Sequence, residues 1–174
     1  MKKPILSCLL LWIVLFLSLS TLTSGQIRSI EGRDSVVLKL KSFWDLHDDN
    51  TVISTMEDAT IYAERGDTII FSLLLDLVPR SDGYVSEGLG YNLASLFLKR
   101  PKYFLKQISR RPIDEQKGIA TLTFFADGGG MQPEEFVKAY SILNKYLGSH
   151  DIEIHSTVNI FLSAIKYVRI ELKN

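Results

Sequence analysis

The sequence predicts an all-α protein, built of helical hairpins stacked as a small bundle or a short solenoid. Three observations predict it. Apolar residues recur at three- and four-residue steps along most of the chain. Residues that start or stop helices, chiefly Asp, Pro and Gly, stand at the ends of these runs. The links between them are short ("RGD", "PRSDG", "KRP", "RRP"), which makes successive helices antiparallel neighbours.

"VVLKLK" from Val36 alternates like a strand but sits within a longer helical pattern, so it reads as a helix. Thr51 to Glu64 reads as a second. Asp67 to Val78 is next, with Asp67 as its N-cap. Ile70, Leu73, Leu74, Leu77 and Val78 share one face, while Ile69, Phe71 and Leu75 occupy the other. A helix apolar on both sides is expected to be nearly enclosed, and Pro79 is expected to end it.

Gly83 to Lys99 follows, with Val85, Leu89, Leu93, Leu96 and Phe97 inward. Gly88 and Gly90 each cost about 1 kcal/mol against alanine in a helix interior. A helix keeps such residues where a neighbouring backbone passes close or a ligand needs room. Pro101 to Arg110 and the stretch around "ATLTFF" also read as helices. Pro133 to Leu147 is the clearest case, with Phe136, Tyr140, Leu143 and Leu147 inward and Gly148 at its end. The last segment places Val158, Phe161, Leu162, Ile165 and Leu172 on one face; its "YVRIEL" is strand-like but reads as helix in that company.

The amino terminus is a different kind of segment. Lys2 and Lys3 precede an apolar run from Ile5 to Leu22, and Thr23, Ser24 and Gly25 supply small residues after it. That order is a secretory signal peptide over residues 1–25, cut after Gly25, and points to bacterial export into the periplasm or outside. The run is also close to the ~18 residues that span a bilayer, so an uncut anchor is the alternative. Residues 26–174 form a single domain, long enough for its own core. Loss of Lys2 and Lys3 leaves 18 of the 20 basic residues against 20 acidic ones, a net charge of −2. Nothing in that balance calls for nucleic acid. Cys8 is the one cysteine of the chain, so the exported part has no disulfide, thiolate nucleophile or cysteine metal site.

"LLLDLVPRSDGYVSEGLGYNLASLF" resembles a HEAT-type repeat: an apolar helix, a turn with proline and aspartate, and a second helix opening on Val85. A fainter copy is similar in "TLTFFADGGGMQPEEFVKAYSILNKYL", about 50 residues on, against the ~40–47 usual for such repeats. The resemblance implies a curved helical scaffold that binds other proteins and carries no catalytic residue.

"ADGGGMQPEEF", residues 126–136, raises the question of a phosphate loop. Such a loop leads from a strand into a helix whose bare N–H groups face the anion, usually with a lysine. Here a helix precedes it, no lysine, serine or threonine follows the glycines, and Glu134 and Glu135 would repel an anion. Glycines closing one helix and Pro133 opening the next explain every residue. Lytic transglycosylases carry a Gly-Leu-Met-Gln stretch, which "GMQP" brushes against, but they need an upstream Glu-Ser pair; Glu87 precedes Gly88 and Glu115 precedes Gln116.

His150 and His155 in "HDIEIH" are five apart, not the i,i+4 of a helical metal pair, and "DLHDDN" around His47 reads as loop polarity. No metal or cofactor is implied, and no G-x-S-x-G elbow supports a serine nucleophile.

Two clusters remain as candidate binding residues. Lys99, Arg100, Lys102, Lys106, Arg110 and Arg111 gather around an apolar face of Phe104, Leu105 and Ile108. In an exported protein they would meet an acidic protein surface or anionic headgroups; the plain alternative is a solvated helix face. Glu87, Tyr91 and Asn92 are polar positions on an otherwise apolar helix, either the edge of a pocket or its wet side.

The expectation is therefore an exported, non-catalytic helical module that binds another protein with an acidic surface, an immunity-type inhibitor being one specific form. The alternatives are a small cell-envelope hydrolase using carboxylates such as Glu87, and a scaffold held to the membrane by an uncut amino terminus.

Overall fold

A computed structural model describes residues 29–125, 131, 133–148 and 151–171, with the side chains of 125, 133 and 167–171 left aside. The expected signal peptide, the glycines at 128–130, His150 and Leu172 lie outside the described residues. Residues from Glu31 onward form one compact unit.

Eight α-helices are described, and no strand occurs among the described residues. They are α1 (Arg33–Lys41), α2 (Asp49–Glu64), α3 (Thr68–Leu75), α4 (Gly83–Lys99), α5 (Pro101–Ile108), α6 (Ile113–Phe125), α7 (Pro133–Leu147) and α8 (His155–Glu171). Short 3₁₀ turns cover Phe43–Asp45, Val78–Arg80 and Ile152–Ile154. The three strand-like stretches are helical as far as they are described, in α1, α6 and α8, the last through Glu171.

The most extensive packing joins alternate helices: α2 with α4, α4 with α6, and α6 with α8. α3 lies against α1 and α2, α5 against α4 and α8, and α7 chiefly against α8. Sequence-adjacent pairing is thus only part of the fold. An aromatic cluster ties the helices at the centre. Phe97 of α4 meets Phe104 of α5, Phe124 of α6 and Phe161 of α8, with ring centroids 5.5, 6.0 and 6.1 Å away. Phe71 of α3 joins through Phe104 at 5.6 Å. Such ring pairs add about 0.5–1.5 kcal/mol each beyond the area they bury.

Two helices differ from expectation. α3 stops at Leu75 rather than Val78. Pro79 has no N–H to offer the Leu75 carbonyl, so the chain tightens into i→i+3 bonds, Leu77 N to Leu74 O and Arg80 N to Leu77 O. Even so, Ile70, Phe71, Leu74 and Leu75 are buried; Ile69 alone of that helix's large apolar residues is widely exposed. In α7 the buried stripe runs through Ala139 and Leu143, flanked by Phe136, Ile142 and Tyr146. Tyr140 and Leu147, expected inward, are 39% and 38% exposed. Because α7 rests mainly on one neighbour, only a narrow stripe is covered, and small Ala139 sets its centre.

Candidate functional site

The basic segment first serves the fold. Lys99 Nζ pairs with Glu64 Oε1 at 2.6 Å, and Arg100 Nη1 donates to the Glu64 carbonyl at 2.6 Å. Both cations therefore sit at the carboxyl end of α2, where its last carbonyls are bare and the helix dipole is negative. Arg100 also lies 4.9 Å above the Tyr103 ring.

Lys102 and Lys106, one turn apart on α5, hold Asp151 at 3.1 Å and Glu153 at 3.2 Å. The hydrogen bond from Lys102, helped by the charge of Lys106, keeps the Asp151 carboxyl below its ordinary range. Arg111 repeats the arrangement at the end of α3: Nη2 donates to the Ser72 carbonyl at 2.9 Å and to Ser72 Oγ at 2.7 Å, while Nη1 reaches Asp76 and Glu115. Arg110 is exposed and makes no ion pair with a described acid.

The second cluster does not converge. Glu87 is exposed and Tyr91 is 67% exposed. Asn92 is buried, and its Nδ2 donates to the Gly88 carbonyl of its own helix at 2.8 Å. Tyr91 and Lys99 do share the wall of a shallow groove of about 220 Å³ with Glu135 and Lys138 of α7. Glu87 lines neither this groove nor the larger one.

That larger groove, about 620 Å³, lies between the 78–81 turn, the start of α4 and the exposed side of α6. Leu75, Val78, Pro79, Ile119 and Leu122 make it apolar. Ser81, Ser86 and Thr121 add hydroxyls, and Asp114 and Glu115 add carboxylates. The volume falls within the roughly 300–1,000 Å³ usual for ligand pockets, and the lining mixes apolar area with few polar groups as such pockets do.

Gly118 shapes this groove. It stands in the interior of α6 and lines the groove wall, and a Cβ added there meets nothing within 4 Å. Gly88 is the contrasting case, since a Cβ there would come within 2.7 Å of Met56 Cε. At Gly88 α4 packs closely on α2, against the tip of the Met56 side chain; packing gives no reason for Gly118. The expectation of a close neighbour or room for a ligand, made for Gly88 and Gly90, meets a close neighbour at Gly88. Gly118 was not singled out by the sequence pattern, although a glycine inside "DEQKGIATL" is the signal that could have found it.

Arg111 stands beside the groove, outside its lining. It bonds at once to Ser72 of α3, to Asp76 at the end of that helix and to Glu115 of α6, and so links the helix that supplies Leu75 to the helix that supplies Gly118. Behind α6, Gln116 Nε2 donates to the Arg111 carbonyl at 2.7 Å, and Thr157 Oγ1 of α8 donates to Gln116 Oε1 at 2.8 Å. This buried relay seats the amino end of α6 on α8.

Among the described residues no three His, Cys, Asp or Glu side chains converge as a metal site. No described helix is long and apolar enough to cross a membrane. Comparison with family models, with curated proteins and with solved structures finds no match.

Proposed function

We propose that this chain is an exported, non-catalytic helical module that holds part of another protein in the groove between the 78–81 turn and α6. The observation that carries the reading is Gly118: a helix-interior glycine, costing about 1 kcal/mol, that faces open space in the groove wall. Gly118 is exposed with no packing neighbour, so the space it leaves bare in the groove wall is open to a ligand. Export is supported by the charged, apolar and small-residue order of residues 1–25. An immunity-type inhibitor of an envelope-acting protein is the specific form that suits this size and location.

The ion pairs of Lys99, Lys102, Lys106 and Arg111 bear on where the partner sits. An acidic surface docking on the basic segment would compete with Glu64, Asp151, Glu153 and Asp76 for those cations. On the groove the pair open to such exchange is the exposed Lys117–Asp114 pair.

The test is recovery of partners from the cell envelope with the native chain, with Gly118→Leu and with Arg110→Glu. Gly118→Leu projects a side chain into the groove from a position where its Cβ meets nothing within 4 Å. Loss of the partner with Gly118→Leu and its retention with Arg110→Glu is the expected result; full retention with Gly118→Leu would sink the groove reading. Sequencing the amino terminus of the recovered protein separates a cleaved form starting at Gln26 from an anchored one.

A further inference from the structure

The charge of the groove is one-sided. Asp114 and Glu115 line it, and no Lys, Arg or His does. The two cations bonded to these acids come from the same stretch of chain and are not in the lining. Arg111 is committed to Ser72, Asp76 and Glu115 at once, and only 17% of its side chain is exposed. Lys117 pairs with Asp114 at 3.2 Å, but 95% of the Asp114 side chain and 62% of the Lys117 side chain are exposed. An i,i+3 pair so open to water is weakly held and readily exchanged. The apolar lining needs the opposite kind of contact, an apolar side chain that removes Leu75, Val78, Ile119 and Leu122 from water at about 25 cal/mol per Å².

We infer that the groove receives an apolar segment of the partner protein that carries a lysine or arginine, which docks at the Asp114 and Glu115 end. This rests on the groove being the binding site. A segment bearing a carboxylate at that end would meet two like charges and only the hydroxyls of Ser81, Ser86 and Thr121 as compensation. A basic residue replaces Lys117 at Asp114 and leaves the Arg111 clamp intact.

The experiment places a photo-reactive benzoyl-phenylalanine at Thr121, on the groove, in the full chain in its own cells. A control carries it at Val137, which is 72% exposed on α7. Mass spectrometry then sequences the joined segment. The expected adduct at Thr121 is an apolar segment with a Lys or Arg beside it, and Asp114→Lys should cut its yield by about tenfold. An adduct whose segment is acidic or uncharged, or a yield unchanged by Asp114→Lys, overturns the charge inference and leaves the groove reading standing. Absence of any adduct at Thr121, with or without one at Val137, removes both. Matching thermal midpoints of the Asp114→Lys and native chains show that the fold is not the cause.

Discussion

Asp67 caps α3 and holds Arg33 of α1 with the same carboxylate. Oδ1 accepts the backbone N–H groups of Ile69 at 3.1 Å and Ile70 at 3.0 Å, while Oδ2 accepts from Arg33 Nε. One side chain thus starts a core helix and fastens the first helix of the domain to it.

That double use sets a pH dependence. The hydrogen bond from Arg33, with the two backbone donors, holds the Asp67 carboxyl below its ordinary value. A carboxyl lowered in the folded state contributes stability that is fully present above its unfolded value of about 3.9 and lost as pH falls through the folded one. Asp67→Asn keeps the cap and loses the ion pair, so its deficit against the native chain should be full at neutral pH, begin to shrink near pH 4 and vanish only once the pH has fallen through the lowered folded value. Asp67→Ala loses both and should cost about 0.5–2 kcal/mol more than nothing even where the ion pair is screened. Urea midpoints between pH 2.5 and 7 measure this; a deficit for Asp67→Asn that grows in acid would contradict it.

Phe97 touches rings from three other helices, so its truncation opens the centre of the domain. Phe97→Ala should cost about 3–5 kcal/mol, the range for large aromatic deletions in rigid cores. Denaturant unfolding of the two chains gives the difference directly. A loss under 1 kcal/mol would mean that the cluster repacks.

Tyr103 stacks on Phe71 at 5.6 Å and lies under Arg100, yet its buried hydroxyl has no hydrogen-bond partner among the described residues. Burial pushes its ionisation above the ordinary tyrosine value, as does the nearby charge of Asp67, against the lowering effect of Arg100. An unsatisfied buried hydroxyl costs about 1–3 kcal/mol of desolvation. Tyr103→Phe should therefore leave stability unchanged or raise it by up to about 1 kcal/mol, because the ring stack survives. A loss above 1 kcal/mol in thermal or urea unfolding would show that the hydroxyl is bonded, through water or otherwise.

Gly118 and Gly88 should respond in opposite ways to alanine. Gly118→Ala gains helix propensity at an open position and should stabilise by about 0.5–1 kcal/mol. Gly88→Ala gains the same propensity but pushes on the buried Met56 methyl, and overpacking of this kind costs about 1–3 kcal/mol. The net for Gly88→Ala should run from neutral to a loss of about 2 kcal/mol. Parallel melts of both variants decide it, and equal gains at both sites would show that Met56 moves aside freely.

The helices were legible because their causes are local. The Asp67 cap, the Pro101 and Pro133 starts and the 3.6-residue stripes of α4 and α8 are all written within a turn or two of sequence. The faces were legible where a helix is enclosed, as in α4, whose five expected inward residues are all buried. They were less so in α7, where the direction of its main neighbour, not the apolar pattern, turned Tyr140 and Leu147 outward.

The sequence by itself determined the all-helical class, the positions of most helix ends and the gathering of six cations between 99 and 111. Only the tertiary structure decided what those cations do. Arg111 finds Asp76 and Ser72 at separations of 35 and 39 residues, and Lys99 finds Glu64 across 35. Charge along a chain shows how many ion pairs can form, but packing chooses the partners, since a salt bridge forms only within a few ångströms. The groove is decided in the same way. Leu75 and Gly118 lie on different helices and carry no mutual signal in the sequence; the packing of both helices into the common core brings them to one groove, beside which Arg111 bonds to Ser72, Asp76 and Glu115.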